Sequence, residues 1–231
     1  MKVIFYICLS CFVLLACETG ESSSDYKETY DGGGARYYGQ VTENDEKMGF
    51  GKYTYPSYNS DDKQNYTGYW SFGNEEGLGL VEYDNGTKSF GNWRYNSEQG
   101  MMLRTYEDGY YFGYIENDKP SHIGTYYYNN GNKFVCHWVN GVPDDKGILY
   151  YKDEPRYEGQ IKNGVKHGSG KLYIKEGDKE AVLESTWYLD KINGLAVYTS
   201  AEGKTYRGVL NRGKGKLLNT ENENDTKEFN L

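Results

Sequence analysis

His122, His137, His167, Cys136, a glycine string near the C-terminus and 34 acidic residues are the groups in this chain that could do chemistry. Imidazoles bind zinc or carry protons. The three histidines show neither the i, i+4 pair of a helix-borne metal site nor a Cys/His cluster, so each reads as a surface or edge histidine. Cys136 beside His137 has the residue types of a thiol nucleophile and its base. On a strand, however, consecutive side chains point to opposite faces. Cys136 also fills a slot that small residues fill elsewhere in the chain, so a small buried residue is expected. The run from Gly208 through Gly213 and Lys214 to Gly215 has the look of a phosphate loop. It lacks the closing Ser or Thr, and no helix follows to bind the anion. An enzyme would need paired carboxylates across a cleft, and no pair stands out. No enzyme and no cofactor or metal is expected.

The N-terminus carries a different kind of chemistry. Lys2 precedes an apolar run from Val3 to Leu15, and small Ala16 precedes Cys17. The run is shorter than the ~20 residues of a membrane-spanning helix and has the layout of an export signal. Leu14-Leu15-Ala16-Cys17 resembles the bacterial lipobox. That resemblance implies cleavage before Cys17 and lipidation of its thiol. Cys8 and Cys11 then leave with the signal, Cys136 is the remaining free thiol, and no intrachain disulfide forms. The formal charge is −8 and becomes one unit more negative when Lys2 is removed. So acidic a body is a poor partner for nucleic acid or anionic headgroups, which leaves membrane attachment to the anchor.

The remaining residues must supply a fold. Tyr occurs 26 times, Gly 30 times and Pro 4 times, and no long helix-forming stretch appears. Tyr favours strands and Gly favours turns and close backbone approaches. Residues 17–35 are polar and read as a flexible tether after the 1–16 signal. From residue 36 to 217 the sequence repeats. Gly39, Gly68, Gly91, Gly113, Cys136, Gly159, Ser185 and Gly208 recur mostly every 22 or 23 residues. Two positions before these anchors stand mostly aromatics, and two positions after stand Trp70, Trp93, Trp138 and Trp187, all the tryptophans in the chain. A second Gly cluster follows, as in Gly77 and Gly79, with tyrosines at period two after it. Offsets of −2, 0 and +2 share one strand face. Each unit is therefore a two-strand hairpin, and hairpins must stack to bury their rings. Residues 218–231 form a polar tail, a frayed end or cap.

Tyr66-Thr-Gly68-Tyr-Trp70 with Gly77-Leu-Gly79, and Tyr157-Glu-Gly159 with Gly168-Ser-Gly170, resemble the MORN repeat family. The resemblance implies an all-β, elongated, twisted antiparallel sheet of about eight stacked hairpins. It also implies binding or scaffolding modules, often dimeric and often near membranes.

The opposite face, at offsets −1 and +1, is uneven along the chain. Repeats two to five place Tyr69, Phe90, Phe112, Tyr114 and Val135 there, and their second strands add Leu78, Leu80, Met101, Leu103, Ile123, Ile148 and Tyr150. Repeats six to eight instead show Glu158, Gln160, Glu184, Thr186 and Arg207, with Val209 as the exception. A large apolar patch marks an interaction surface unless a second layer covers it. Tyr69, Leu80, Phe90, Leu103, Phe112, Tyr114, Val135 and Tyr150 are the expected binding residues. The expected protein is a lipid-anchored scaffold of the bacterial cell envelope, in the outer membrane if the cell has one. It would bind a protein partner or a second copy of itself. Glycan binding through stacked Tyr and Trp rings is the alternative.

Overall fold

A computed structural model describes residues 26–56, 62–152 and 155–231. The expected signal segment and Cys17 lie outside the described residues. The described chain is all-β, with one short 3-10 turn at Gly32–Gly34 and 18 strands. It divides into two compact units at Gln99/Gly100. The first holds β1 (Tyr26–Tyr30), β2 (Arg36–Val41), β3 (Lys47–Thr54), β4 (Lys63–Ser71), β5 (Asn74–Tyr83) and β6 (Lys88–Arg94). The boundary falls within β7 (Ser97–Thr105). The second unit holds β8 (Gly109–Glu116), β9 (Lys119–Tyr128), β10 (Lys133–Val139), β11 (Val142–Tyr150), β12 (Arg156–Lys162) and β13 (Val165–Glu176). It continues with β14 (Lys179–Tyr188), β15 (Lys191–Thr199), β16 (Thr205–Asn211), β17 (Lys214–Asn219) and β18 (Thr226–Asn230). From β1 to β6, and again from β8 to β18, each strand pairs antiparallel with its chain neighbour. The stacked-hairpin architecture expected from the repeats is the architecture observed.

Hairpin turns explain part of the regularity. Phe72-Gly73, Tyr95-Asn96, Asn117-Asp118, Asn140-Gly141, Asn163-Gly164, Leu189-Asp190 and Arg212-Gly213 all have positive φ at both residues. That is the two-residue turn whose twist matches the twist of its strands. In six hairpins, β2–β3, β4–β5, β8–β9, β10–β11, β12–β13 and β14–β15, the second strand then carries a bulge. In β4 and β5, Gly68 faces Gly79 while Trp70 faces Glu75, so the register shifts between them. The bulge residue sits at positive φ, as Gly49 (62°), Gly77 (67°) and Gly168 (60°) do. His122 (55°) and Asp145 (69°) take the same conformation without the freedom of glycine.

The core is one face of the hairpins. Tyr66 is fully buried and lies over the facing pair Gly68 and Gly79. A Cβ on Gly79 would stand 2.3 Å from that ring, so the pair is glycine because the ring lies there. The Tyr66 hydroxyl donates to the Tyr69 carbonyl at 2.9 Å. Tyr37, Tyr111 and Tyr157 donate to the carbonyls of Gln40, Tyr114 and Gln160 at 2.7, 3.0 and 2.9 Å. Each hydroxyl serves the carbonyl of the residue that follows the anchor glycine, where the hairpin register shifts. Burial raises the pKa of these four phenols.

Tryptophans join successive hairpins. Trp70, Trp93 and Trp138 each donate Nε1–H to a glycine carbonyl of the preceding hairpin, Gly51, Gly79 and Gly124, at 3.3 Å. Their rings meet the tyrosine before them edge-on, at 5.5 Å for Tyr37–Trp70 and for Tyr66–Trp93 and at 5.2 Å for Tyr111–Trp138. Such pairs contribute about 0.5–1.5 kcal/mol beyond burial.

Two segments expected outside the repeat array hold strands. The tether expected over 17–35 already contains β1, which pairs with β2 and sets Tyr26 against Tyr38 at 5.8 Å. The C-terminal tail expected over 218–231 contains β18, which pairs with β17. Phe229 packs edge-on against Tyr198 at 5.2 Å, and Asp225 accepts from the Tyr206 hydroxyl at 3.1 Å. Both strands lack the repeat signature, but each covers a strand edge that would otherwise expose unpaired backbone.

Candidate functional site

The chemistry-bearing residues do not converge. Cys136 is buried on the aromatic face, with Sγ 3.1 Å from the His137 carbonyl oxygen. Burial pushes its thiol pKa up to about 12, the opposite of an activated nucleophile. His122 and His137 lie on the adjacent strands β9 and β10, where Trp138 faces His122 and His137 faces Ile123. His167 is on β13. Among the described residues no three His, Cys, Asp or Glu side chains form a possible metal site. The glycine string from Gly208 to Gly215 is β16, a hairpin turn and the start of β17.

The second sheet face carries the candidate site. Within the second unit, in-register pairing sets out one continuous row across ten strands, from Phe112 to Leu218. It runs Phe112, Thr125, Val135, Ile148, then Glu158, Lys171, Glu184, then Val197, Arg207, Leu218. The row is therefore mostly apolar, broken by Thr125, then charged, then mixed. Lys171 bridges Glu184 at 3.1 Å, and the Tyr173 hydroxyl donates to Glu158 at 3.3 Å. A neighbouring row adds Ile123 and His137 at one end and the facing pair Leu195 and Val209 at the other.

A groove of about 1000 Å³ crosses this face from β9 to β15. Ile123, Val135 and Ile148 line one end and Leu195 the other, while Glu158, Lys171, Glu184, Gln160, Ser169 and Thr186 line the middle. Ile123 and Leu195 are 71% and 74% exposed. Gln160 is already engaged, because its Oε1 accepts from the bulge amide of Ser169 at 2.9 Å. The flanking aromatic row is engaged as well. Tyr110 stacks on Tyr127 at 4.7 Å, Lys133 lies over Tyr150 at 4.2 Å, and Arg156 lies over Tyr173 at 4.0 Å.

Of the eight expected binding residues, Val135 lines the groove. Phe112 is 48% exposed two strands away in the same row, and Tyr150 and Tyr114 are half-buried beside it. Leu103 is half-buried on β7. In the first unit Tyr69 is exposed, packed edge-on against Phe50 at 5.7 Å, and Phe90 is half-buried. Leu80 corrects the expectation: at 8% exposure it is buried, set between Thr67 and Phe90 on the neighbouring strands. Composition by repeat misses Leu195 and the charged middle, because it treats repeats six to eight as the polar, uninvolved part. The in-register row is the missing signal, since it places Glu158, Lys171 and Glu184 between two apolar ends. The tryptophans are buried at 2–8% exposure, so no indole is available to stack on a sugar.

Such an assembly, hairpins stacked through Tyr, Gly and Trp with one face left for contact, defines a β-hairpin repeat protein. The chain carries five MORN repeats, matching that family's model over residues 37–60, 66–88, 111–133, 157–179 and 184–205. The unmatched stretch between the second and third matches contains Ser89, and that between the third and fourth contains Phe134 and Cys136, where the Tyr-x-Gly pair is altered. No curated protein matches the chain.

Proposed function

We propose that this protein is a binding or scaffold module of the bacterial cell envelope, held at the membrane by lipid on Cys17, and that it binds protein through the groove across β9–β15. The observation that carries the reading is the groove's lining, aliphatic at both ends and charged between them. Buried anchors bordered by polar groups are how proteins recognise proteins. A glycan site would present free aromatic rings. Here the tryptophans are buried and the neighbouring tyrosines are stacked or capped by cations. Repeat arrays of this kind bind along an extended surface made by stacking.

The test is photocrosslinking in the full-length chain with Ile148→benzoylphenylalanine, using the same replacement at the exposed turn residue Glu202 as control. The reading expects discrete protein adducts at position 148, absent at 202 and unchanged by polysaccharide digestion. Adducts removed by that digestion would transfer the reading to glycan. No adduct at 148 would end it. Cys17→Ala is expected to move the protein from the membrane fraction to the soluble fraction. An unchanged distribution would sink the anchor.

A further inference from the structure

We infer that the groove's occupant is an amphipathic partner helix with an apolar–cation–acid–cation–apolar pattern at steps of three or four residues. This rests on the binding reading above and names the partner's chemistry. The first argument is backbone supply. Every strand from β10 to β14 is paired on both sides, so the groove offers no free edge to an extended segment. A strand laid there would bury unpaired amides, whereas a helix satisfies its own.

The second argument is size. Five strand steps separate Val135 on β10 from Leu195 on β15, which is about 24 Å. A helix of about 16 residues spans that distance, and at ~10 Å width it fills the groove when sunk by about 4 Å. The third argument is charge register. Glu158, Lys171 and Glu184 stand at successive strand steps of about 4.8 Å, so the two carboxylates are about 10 Å apart. Helix residues seven apart share a face and lie about 10.5 Å apart. Two cations at i and i+7 therefore meet Glu158 and Glu184, and an acid midway meets Lys171. One step further out, apolar residues meet Ile148 at one end and Leu195 or Val197 at the other. The band holds two acids and one base, which favours the partner with the net positive charge.

The experiment is fluorescence anisotropy on the full chain with labelled Ala-based helical peptides of about 18 residues. The probe places Leu, Arg, Glu, Arg and Leu at those steps. One control swaps the charges to Glu, Arg and Glu, and a second carries a central Pro that breaks the helix. The inference expects saturable binding of the probe, weakened about tenfold or more by Glu158→Lys, by Ile148→Asp, by Leu195→Asp and by either control change. The three substituted side chains are half-buried or exposed, and an unchanged strand signature in circular dichroism checks that the fold persists. Equal binding of the Pro or charge-swapped peptide would overturn the helix or its charge pattern and leave the groove a protein site. No binding by any peptide, with the position-148 adducts present, would overturn this inference alone. Absence of both would remove the reading beneath it.

Discussion

Cys136 Sγ approaches the His137 carbonyl oxygen at 3.1 Å, and that carbonyl is the one a tyrosine hydroxyl serves in four other hairpins. The swap follows from the neighbour two residues back. Phe134 has no hydroxyl, so the bulge carbonyl needs another donor, and the anchor residue supplies a thiol. Ser185 solves a related problem behind Leu183, with Oγ donating to the Leu195 carbonyl at 2.8 Å. These departures from the repeat pattern are thus compensated and structural.

Thiol chemistry offers the first check. With burial holding the Cys136 thiol near about 12, a thiol reagent at pH 8 is expected to leave the native chain unmodified and to react fully in urea. Cys136→Ser, which keeps a donor, is expected to cost about 1 kcal/mol or less. Cys136→Gly exposes the unserved carbonyl and is expected to cost about 1–3 kcal/mol in urea unfolding. Equal costs would show that the thiol's hydrogen bond is immaterial.

The ring slot is tested by moving one repeat's solution into another. A Cβ on Gly170 would stand 2.4 Å from the Tyr157 ring and one on Gly159 would stand 2.4 Å from its hydroxyl. Gly170→Ala alone is expected to destabilise by about 3 kcal/mol, at the high end for overpacking. Repeat seven already tolerates Ala196 opposite Ser185, with Leu183 in the tyrosine's place. Adding Tyr157→Leu and Gly159→Ser to Gly170→Ala is therefore expected to recover a large part of the loss. Additive losses would mean that ring and glycine are not coupled.

Much of this was legible in the sequence, because the aromatic face obeys a local rule. Tyr66, Gly68 and Trp70 fall at offsets that alternation alone sends to one side, and nothing distant overrides it. The candidate site was less legible because it is a cross-strand object. Glu158, Lys171 and Glu184 lie 13 residues apart in the chain, and only the strand register, bulged between β12 and β13, makes them neighbours. Leu80 fails for a similar reason, since its cover comes from Phe90 on the next strand. Glu75 is one acid whose place the sequence does not show. It is fully buried, bonded by Lys63 at 2.5 Å and by the Tyr55 hydroxyl.

The tryptophans supply an internal comparison. Trp138 Nε1 donates to the Gly124 carbonyl at 3.3 Å, while the buried Nε1 of Trp187 has no acceptor. Both rings meet the preceding tyrosine edge-on, at 5.2 and 5.1 Å. Trp→Phe removes the indole donor at either site together with similar packing. Trp138→Phe is expected to cost about 1 kcal/mol more than Trp187→Phe, because only the first loses a hydrogen bond. Urea unfolding of the two variants measures the difference, and a larger cost at 187 would contradict it.

Acid should release the C-terminal strand first. Lys227 on β18 bridges Glu176 at the end of β13 at 2.6 Å and donates to the Tyr198 hydroxyl at 2.7 Å. Hydrogen bonds from Lys227, from Tyr198 and from the Ala201 amide hold the Glu176 carboxyl down at about 2, below its usual 4.5. A carboxylate depressed in the folded state stabilises fully above its unfolded pKa and loses that contribution as pH falls toward the folded value. The clasp is therefore intact at pH 7 and lost between about pH 5 and 2. Solvent reaches both partners, so its contribution is about 1 kcal/mol or less. Glu176→Gln is expected to lower stability slightly at pH 7 and to flatten the acid limb of the stability profile. Amide exchange at Lys227 and Phe229 is expected to quicken in that variant at pH 7, while exchange at Tyr157 and Trp187 stays unchanged. Equal quickening at all four would show that β18 unfolds with the repeats rather than separately from them.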